Sequence, residues 1–320
     1  MPENRYDKTP RPGQGHFVAA PEAVKIGVVD AVSVDEAPSS MWRDAWRDMS
    51  HRPLFWIAAA MIVVVIVVSI VPGLFTNQLP RTNCLLPEAL LPPSGEHWFG
   101  TDQNGCDIYT RTLFGAKASV VVGLLSTTFV VLLGTTIGAI AGYYGGWTDT
   151  ILSRITDIFF AVPFVLAAIV ILSIAPERTS FVVALVLASF GWTTIARITR
   201  GAVLSVKNNE FVTAAKALGM SRGAILWRHV LPNSSAPIIV YATVALGTFI
   251  VAEATLTFLG IGLDPSTVSW GGDLSKGRSA IRTNPEIMFY PAAALAFTVL
   301  GFIMLGDVVR DALDPKARKR

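Results

Sequence analysis

Long apolar runs alternate with shorter polar stretches along the whole chain. Each run holds about twenty residues, the length that an α-helix needs to cross a hydrocarbon core of ~30 Å at ~1.5 Å per residue. The runs cover residues 54–75, 118–143, 155–174, 180–198, 236–260 and 289–309. This pattern predicts an all-α integral membrane protein with six transmembrane helices.

Lysine and arginine residues are unevenly divided between the two sides that six spans would create. The chain contains 26 of them, and 19 lie on the side that carries both termini and the stretch 205–235. Cytoplasmic loops of membrane proteins carry an excess of these cations. Both termini and that stretch are therefore predicted to be cytoplasmic, and the segment 76–117 is predicted to be an extracytoplasmic loop.

The ends of the chain have their own patterns. Residues 1–40 are polar and lack a sustained period, which predicts a disordered tail, and residues 311–320 form a basic tail. Between 41 and 53, Trp42, Trp46 and Met49 share a helical face. That arrangement is typical of an amphipathic helix in the headgroup region, although the segment could instead extend the first span.

Both cysteines of the chain, Cys84 and Cys106, fall in the predicted extracytoplasmic loop. Disulfides persist outside the reducing cytoplasm, so a bond between the two is one prediction and two free thiols are the other. Among the histidines only His97 lies near them, and a structural zinc site needs four ligands. We therefore predict no metal site.

Small and kinking residues interrupt the apolar spans. Gly134, Gly138, Gly142 and Gly146 recur at every fourth position. Such a stripe lets helix backbones pack closely, either within the chain or against a second subunit. Pro163 is expected to kink the third span.

Two acidic residues also lie in the predicted spans. Asp157 is near the cytoplasmic end of the third span, where Arg154 is a natural partner. Glu253 lies within the fifth span, where an ionisable side chain should face the protein interior or a water-filled path. Each is either a structural anchor or part of a transport pathway, and we favour the structural interpretation.

The polar stretch 208–233 separates two strongly apolar runs and contains four apolar residues spaced as one face of a helix. These are Phe211, Ala214, Ala215 and Leu218. Glu210 suits the positive end of that helix, and Gly219 can take the left-handed conformation that ends it. Ser221 can cap a second helix, which Pro232 would stop. The prediction is helix, tight turn, helix, with a thin Ala-Ala face that another surface can approach; the alternative is an amphipathic loop on the membrane.

The composition agrees with a membrane protein and excludes several other classes. It is 52% hydrophobic and 15% charged, whereas about 25% of a soluble domain is charged. The sequence has no phosphate-binding loop, zinc-hydrolase motif or nucleophile elbow, and its four histidines are scattered. No catalytic residue, no cofactor on this chain and no nucleic-acid partner are therefore expected.

The stretch 208–233 resembles the coupling loop of ATP-binding-cassette importer permeases, whose pattern is Glu-Ala-Ala, three residues, Gly, nine residues, Ile-x-Leu-Pro. Five positions match at that spacing, namely Ala214, Ala215, Gly219, Leu231 and Pro232. Thr213 replaces the Glu and His229 replaces the Ile. The ending from Arg228 to Asn233 is similar to that of the dipeptide and oligopeptide branch.

Three further pairs of motifs resemble the same family between residues 98 and 314. They are Phe99-Gly-Thr-Asp102 with Gly105-x-Asp107, Arg154-x-x-Asp157 with Ala161-x-Pro163, and Phe258-Leu-Gly-Ile-Gly262 with Ser269-Trp-Gly271. A single motif would be weak, but four in order within six spans are highly specific.

The resemblance implies a type I importer permease in a bacterial-type cytoplasmic membrane, with a permease core at 118–310 and a coupling loop at 205–235. It implies a second homologous permease subunit, two cytoplasmic ATPases that bind ATP and Mg, and an external solute-binding protein. The implied substrates are dipeptides or oligopeptides, although relatives carry nickel or glutathione. The residues it assigns to ATPase coupling are Glu210, Phe211, Thr213, Ala214, Ala215, Leu218, Gly219, Arg228, Leu231 and Pro232.

The main alternative is an ion-driven secondary transporter or channel. That class would need a relay of intramembrane charges, and Glu253 is the one ionisable residue well inside a predicted span. An intramembrane enzyme would need a catalytic constellation that the sequence lacks. An assembly scaffold would explain neither the stretch 208–233 nor the six spans.

Overall fold

The protein is built from α-helices, and the computed structural model describes residues 41–82 and 84–313. The described helices are α1 Met41–His51, α2 Pro53–Ile70, α3 Ile108–Tyr144, α4 Gly146–Ala161, α5 Phe164–Ile174, α6 Ser180–Val206, α7 Glu210–Ala217, α8 Arg222–Ile225, α9 Leu231–Asn233, α10 Ser235–Phe258, α11 Trp270–Gly277 and α12 Glu286–Leu313. A π-helical turn, Leu226–Val230, joins α8 to α9. The predicted tail 1–40, and the predicted basic tail from residue 314 onward, lie outside the described residues.

The membrane-spanning helices agree with the apolar pattern, with one change. Among the described residues, α2, α3, α6, α10 and α12 are each long and apolar enough to cross a membrane. The sixth candidate is the pair α4 and α5, which is bent by 76°. With that pair counted as one span, the predicted six-span all-α fold is confirmed, and the kink expected at Pro163 is a complete break between two helices.

Helix α3 begins earlier than the apolar pattern alone suggests. The Asp107 carboxylate accepts a hydrogen bond of 2.7 Å from the backbone N–H of Thr110, which caps the helix at its first turn. Residues 108–117 of the predicted extracytoplasmic loop are therefore the first turns of a helix of 37 residues.

The glycine stripe packs α3 against α6 of the same chain. A Cβ on Gly134 would lie 2.6 Å from the backbone oxygen of Trp192, and one on Gly142 would lie 2.9 Å from that of Arg200. A Cβ on Gly138 would overlap the backbone oxygen of Ala196. Close contact between the two backbones therefore requires these three glycines, which supports packing within the chain over contact with a second subunit.

Helix α1 is separate from the first span. It ends at His51, and Arg52 has an extended backbone before Pro53 opens α2. Trp46 is 57% exposed and packs edge-on against Phe55, with ring centres 5.6 Å apart. An exposed tryptophan at the start of a span suits the headgroup region.

Candidate functional site

Helix α7 divides its apolar residues between two faces. Val212 and Ala215 point into the protein, where they pack with Ala139 of α3 and Val203 of α6. Ala215 is only 5% exposed, whereas Leu218 is 83% exposed. The inward face of the helix is therefore fixed to the two long spans, and the residues of its outward face are exposed.

The sequence pattern placed four apolar residues on one face, and the structure separates one of them. Phe211 is 39% exposed, and Ala214 and Leu218 are also exposed, but Ala215 belongs to the internal cluster. Ala215 is buried because it lies three residues after Val212, on the same side of the helix, and these two residues form the buried stripe. We call the remaining exposed set, Phe211, Ala214 and Leu218, the coupling face, after the role that the family resemblance implies.

Gly219 forms the tight turn after α7. Its φ is +80°, in the left-handed region, and a Cβ there would meet nothing within 4 Å. Its N–H donates to the carbonyl of Lys216 at 3.0 Å, and the N–H of Met220 donates to that of Ala215 at 3.2 Å. These two bonds make a Schellman motif, so the position requires glycine for backbone conformation and not for space.

The second helical segment of the stretch 208–233, which we call its second arm, does not stop where the sequence suggests. The Ser221 hydroxyl caps α8 by accepting a hydrogen bond of 3.3 Å from the N–H of Ala224. The chain then continues through the π-helical turn into α9, and Pro232 lies in the first turn of α9 instead of ending a helix. Proline is tolerated there because the first N–H groups of a helix lack intrahelical partners. Arg228 of this arm is exposed, and Leu231 is half-buried against the internal cluster.

The loop is also tied to the end of α3 by a charged side chain. Lys207 donates from Nζ to the carbonyl of Gly142 at 2.8 Å, in the last turn of α3. A cation at this position stabilises the negative end of the helix dipole. Thr213 and Glu210 lie on the exposed side of α7, beside the coupling face.

Asp157 pairs mainly with a residue of α6. Its Oδ1 accepts from Arg197 Nη2 at 2.8 Å, whereas Arg154 of its own helix is 3.7 Å away. One turn further along α6, Arg200 makes two hydrogen bonds of 2.5 and 2.7 Å to Asp149, which lies two turns nearer the start of α4. Arg197 is the partner that sequence reasoning missed, because it lies 40 residues further along the chain.

Glu253 faces the protein interior. It is fully buried, and its Oε1 accepts a hydrogen bond of 2.9 Å from the Thr257 hydroxyl. Thr257 in turn accepts from the backbone N–H of Leu263 at 3.0 Å, which holds the loop after α10. The Ser119 side chain of α3 also faces the Glu253 carboxylate. These contacts favour a structural anchor.

The extracytoplasmic face contains a buried ionic cluster that the sequence did not reveal. Arg111 of α3 donates through Nε and Nη2 to Asp273 of α11, with the Nε bond at 3.0 Å, and Asp102 lies 3.6 Å from the same Nε. Burial raises the pKa of Asp273 while the Arg111 guanidinium lowers it, and burial lowers the pKa of nearby Lys276. The motifs around Asp102 and Trp270 therefore meet at one site.

Two further contacts fix this face. The Trp270 indole donates to the carbonyl of Thr112 at 2.8 Å, which holds α11 against the first turns of α3. A disulfide joins Cys84 to Cys106, and the Asp102 carboxylate accepts from the backbone N–H of Cys106 at 2.9 Å. The extracytoplasmic loop is thus covalently closed next to the ionic cluster.

Two known family models match this chain. Residues 134–319 match the family described as binding-protein-dependent transport system inner membrane component. Residues 40–93 match the N-terminal TM domain of oligopeptide transport permease C. The two matches together cover most of the chain, including α2, the stretch 208–233 and α12.

Individual relatives are similar over nearly their whole length. The dipeptide transport system permease protein DppC of Alkalihalophilus pseudofirmus is 42% identical, over 87% of this chain and 91% of that protein. The oligopeptide transport system permease protein OppC of Bacillus subtilis is 38% identical, over 93% and 97%. The glutathione transport system permease protein GsiD of Pectobacterium atrosepticum is 35% identical, over 89% and 94%. A solved structure of the MetNI methionine ABC transporter, inward facing, matches with TM-score 0.49 and 18% identity, over 62% of this chain and 94% of that chain.

Proposed function

Since the chain belongs to the binding-protein-dependent transport system inner membrane component family, we propose that it is the permease subunit of an ATP-driven peptide importer. It forms half of a translocation pathway in a bacterial cytoplasmic membrane. A second, related permease subunit supplies the other half. Two cytoplasmic ATPases bind ATP and Mg, and an external binding protein delivers the peptide.

The coupling face is the observation that supports this proposal most directly. Leu218 is 83% exposed and Phe211 39% exposed on a helix whose other side is packed into the protein. A helix that presents apolar residues at such spacing is suited to lie in a groove of a partner. On the side predicted to be cytoplasmic, an ATPase groove is the partner that the family implies.

The anchoring of α7 suggests how force would reach the spans. Val212 and Ala215 pack on α3 and α6, and Lys207 ties the loop to the last turn of α3. A groove that moves when the ATPases close on ATP would therefore carry the ends of α3 and α6 with it. The two states differ in how the groove holds the coupling face, which is the differential binding that a conformational switch requires.

Peptides are the substrate class that we propose. Two relatives are named as dipeptide or oligopeptide permeases, and one as a glutathione permease. Uptake of a radiolabelled dipeptide into vesicles, with glutathione as competitor, separates these classes.

A charge on the coupling face tests the coupling role. Leu218→Glu is expected to weaken ATPase binding by about 2 kcal/mol or more, equivalent to ~30-fold, because it places a carboxylate at the centre of an apolar contact. ATPase co-purification and ATP-dependent dipeptide uptake should both fall, while the chain remains inserted. Lys216→Gln, an exposed change on the same helix, is the matched control and should retain both.

The result that contradicts the proposal is equally definite. If Leu218→Glu retains its ATPases and its uptake, α7 is not the coupling helix. If the unaltered chain purifies without any ATPase from gently extracted membranes, the ion-driven transporter becomes the better hypothesis, and Glu253 is then the residue to replace. Ala215→Arg is a poor test, since Ala215 lies inside the loop and its replacement would disrupt the loop itself.

A further inference from the structure

The break between α4 and α5 places irregular backbone in the middle of a membrane-spanning segment. Helix α4 ends at Ala161 and α5 begins at Phe164, and Val162 and Pro163 between them have ψ angles of 120° and 110°. No side chain caps the start of α5. The last carbonyls of α4 and the first N–H groups of α5 therefore lack intrahelical partners.

Hydrocarbon cannot satisfy these backbone groups. Non-helical backbone at membrane depth is tolerated where it is buried in protein or lines a water-filled cavity. The described part of the chain leaves the break incompletely covered, because Phe160 is 52% exposed and Val162 is 39% exposed. The break must therefore face water or another subunit.

Two cavities lie along α4 and α6, and the upper of them adjoins the break. The upper cavity measures 230 Å³, and its walls include Phe159, Phe160, Pro163, Tyr241 and Thr248. The lower cavity measures 520 Å³, and its walls include Asp149, Ser153, Asp157, Arg197 and Arg200. The lower cavity lies nearer than the upper one to the start of α4 and the end of α6, which are predicted to be cytoplasmic.

One contact stands at the boundary of the two cavities. The Arg197 guanidinium carbon lies 3.8 Å from the centre of the Phe160 ring, and Arg197 is also paired with Asp157 at 2.8 Å. Phe160 lines the upper cavity, and Arg197 and Asp157 line the lower one. A guanidinium held both by an aromatic ring face and by a carboxylate would block passage between the two cavities.

We propose that these two cavities form the cytoplasmic half of this chain's translocation route for zwitterionic peptides, and that the Phe160–Arg197 contact is the barrier between them. The inference rests on the proposed import function. Sites for drug-sized ligands measure roughly 300–1,000 Å³. The upper cavity is smaller, so it fits a peptide side chain and not a whole oligopeptide, and its aromatic walls and hydroxyls suit side chains of varied chemistry. The lower cavity offers charges of both signs, which complement the two termini of a peptide.

Thiol labelling tests this route in the complete transporter. The chain's two cysteines are joined in a disulfide, so an introduced cysteine is the one reactive thiol of this subunit. Thr248→Cys reports on the upper cavity and Ser153→Cys on the lower one. Val64→Cys is the control, because Val64 is an exposed apolar residue in the middle of α2 and away from both cavities. Inside-out membrane vesicles are exposed to trimethylammonium-ethyl methanethiosulfonate, a charged thiol reagent that does not cross lipid, and labelling rates are measured on the purified subunit.

The expected result is a labelling pattern that depends on the barrier. Ser153→Cys should react readily in every background and Val64→Cys in none. Thr248→Cys should react slowly, and about tenfold faster when Phe160→Ala or Arg197→Gln removes the barrier, the factor that corresponds to about 1.4 kcal/mol. Normal Ser153→Cys labelling in the barrier variants shows that they remain folded.

Two results would overturn the inference. Thr248→Cys that stays unlabelled in both barrier variants would mean that the upper cavity is closed to water, for example by the second permease subunit. Equal labelling rates of Thr248→Cys with and without the barrier substitutions would mean that the Phe160–Arg197 contact does not block access to the upper cavity. Dipeptide uptake by the unaltered transporter is measured separately: its absence alongside the expected labelling would refute the peptide function and leave the route in place for another solute.

Discussion

Arg111 is buried at the extracytoplasmic end of α3 beside two carboxylates, and replacing these groups one at a time tests the electrostatic account of this face. The side chains of Arg111 and Asp273 are each 6% exposed. Arg111 also lies 3.6 Å from Asp102 and donates to the carbonyl of Pro80 at 3.1 Å. The cluster thus holds one guanidinium between two carboxylates, with Lys276 nearby.

The two substitutions leave different charges behind. Asp273→Asn leaves Arg111 with Asp102, and the new amide oxygen can still accept a hydrogen bond. Arg111→Met leaves Asp102 and Asp273 buried with no guanidinium between them. Removing one partner of a buried ion pair costs roughly 3–5 kcal/mol. We therefore expect Arg111→Met to cost about 5 kcal/mol and Asp273→Asn about half as much, because a balanced pair survives in the second variant.

Unfolding of the purified protein in mixed detergent, followed by tryptophan fluorescence during titration with dodecyl sulfate, measures these differences. Glu96→Gln, an exposed carboxylate on the same face, is the control and should stay within about 0.5 kcal/mol of the unaltered protein. The reasoning is refuted if Asp273→Asn costs as much as Arg111→Met, or if both variants unfold with the control.

Three further predictions concern packing, the disulfide and acid stability. Gly138→Ala should destabilise the protein by about 1–3 kcal/mol in the same titration, because the added methyl meets the backbone of α6. Gly201 has open space around it, so the control Gly201→Ala should be neutral or stabilising by up to ~1 kcal/mol. Replacing Cys84 and Cys106 together by serine should cost about 3 kcal/mol, since the bond closes a loop with a sequence separation of 22, and treatment of the unaltered protein with reductant should reproduce that loss. Hydrogen bonds from Ser266 lower the pKa of Asp264 below its ordinary 3.8. The stabilisation that the Asp264 carboxylate gives to the loop between α10 and α11 is therefore present above pH 3.8 and is lost as the pH falls through the lowered pKa. Proteolysis of this loop should increase in that acidic range, and Asp264→Asn should abolish the change.

Local features of the fold followed from the sequence because their causes are local. The spans were predictable since burial in hydrocarbon depends on the residues of each run and not on their neighbours in space. The turn at Gly219 and the cap at Ser221 follow from backbone conformation and hydrogen bonds within a few residues. The break at Pro163 was predicted as a kink, because proline reports that a helix is interrupted but not how far the two pieces then diverge.

The orientation of α7 shows where periodicity alone was insufficient. Phe211, Ala214, Ala215 and Leu218 fit one face of a helix, but Val212 and Ala215 fit another, and both faces are apolar. Which one is buried depends on what α3 and α6 present beneath it, namely Ala139 and Val203. The exposed coupling face could therefore be defined only once these helices were placed.

The sequence by itself determined the six apolar spans, the side on which the polar stretch lies, the helix, turn and helix of the coupling loop, and the family resemblance. The tertiary structure decided the partners of the charged residues. Arg111 and Asp273 are 162 residues apart, and Arg197 and Asp157 are 40 apart. Pairing over such distances is set by the packing of α11 on α3 and of α4 on α6. No pattern along the chain encodes which charged side chains that packing brings together.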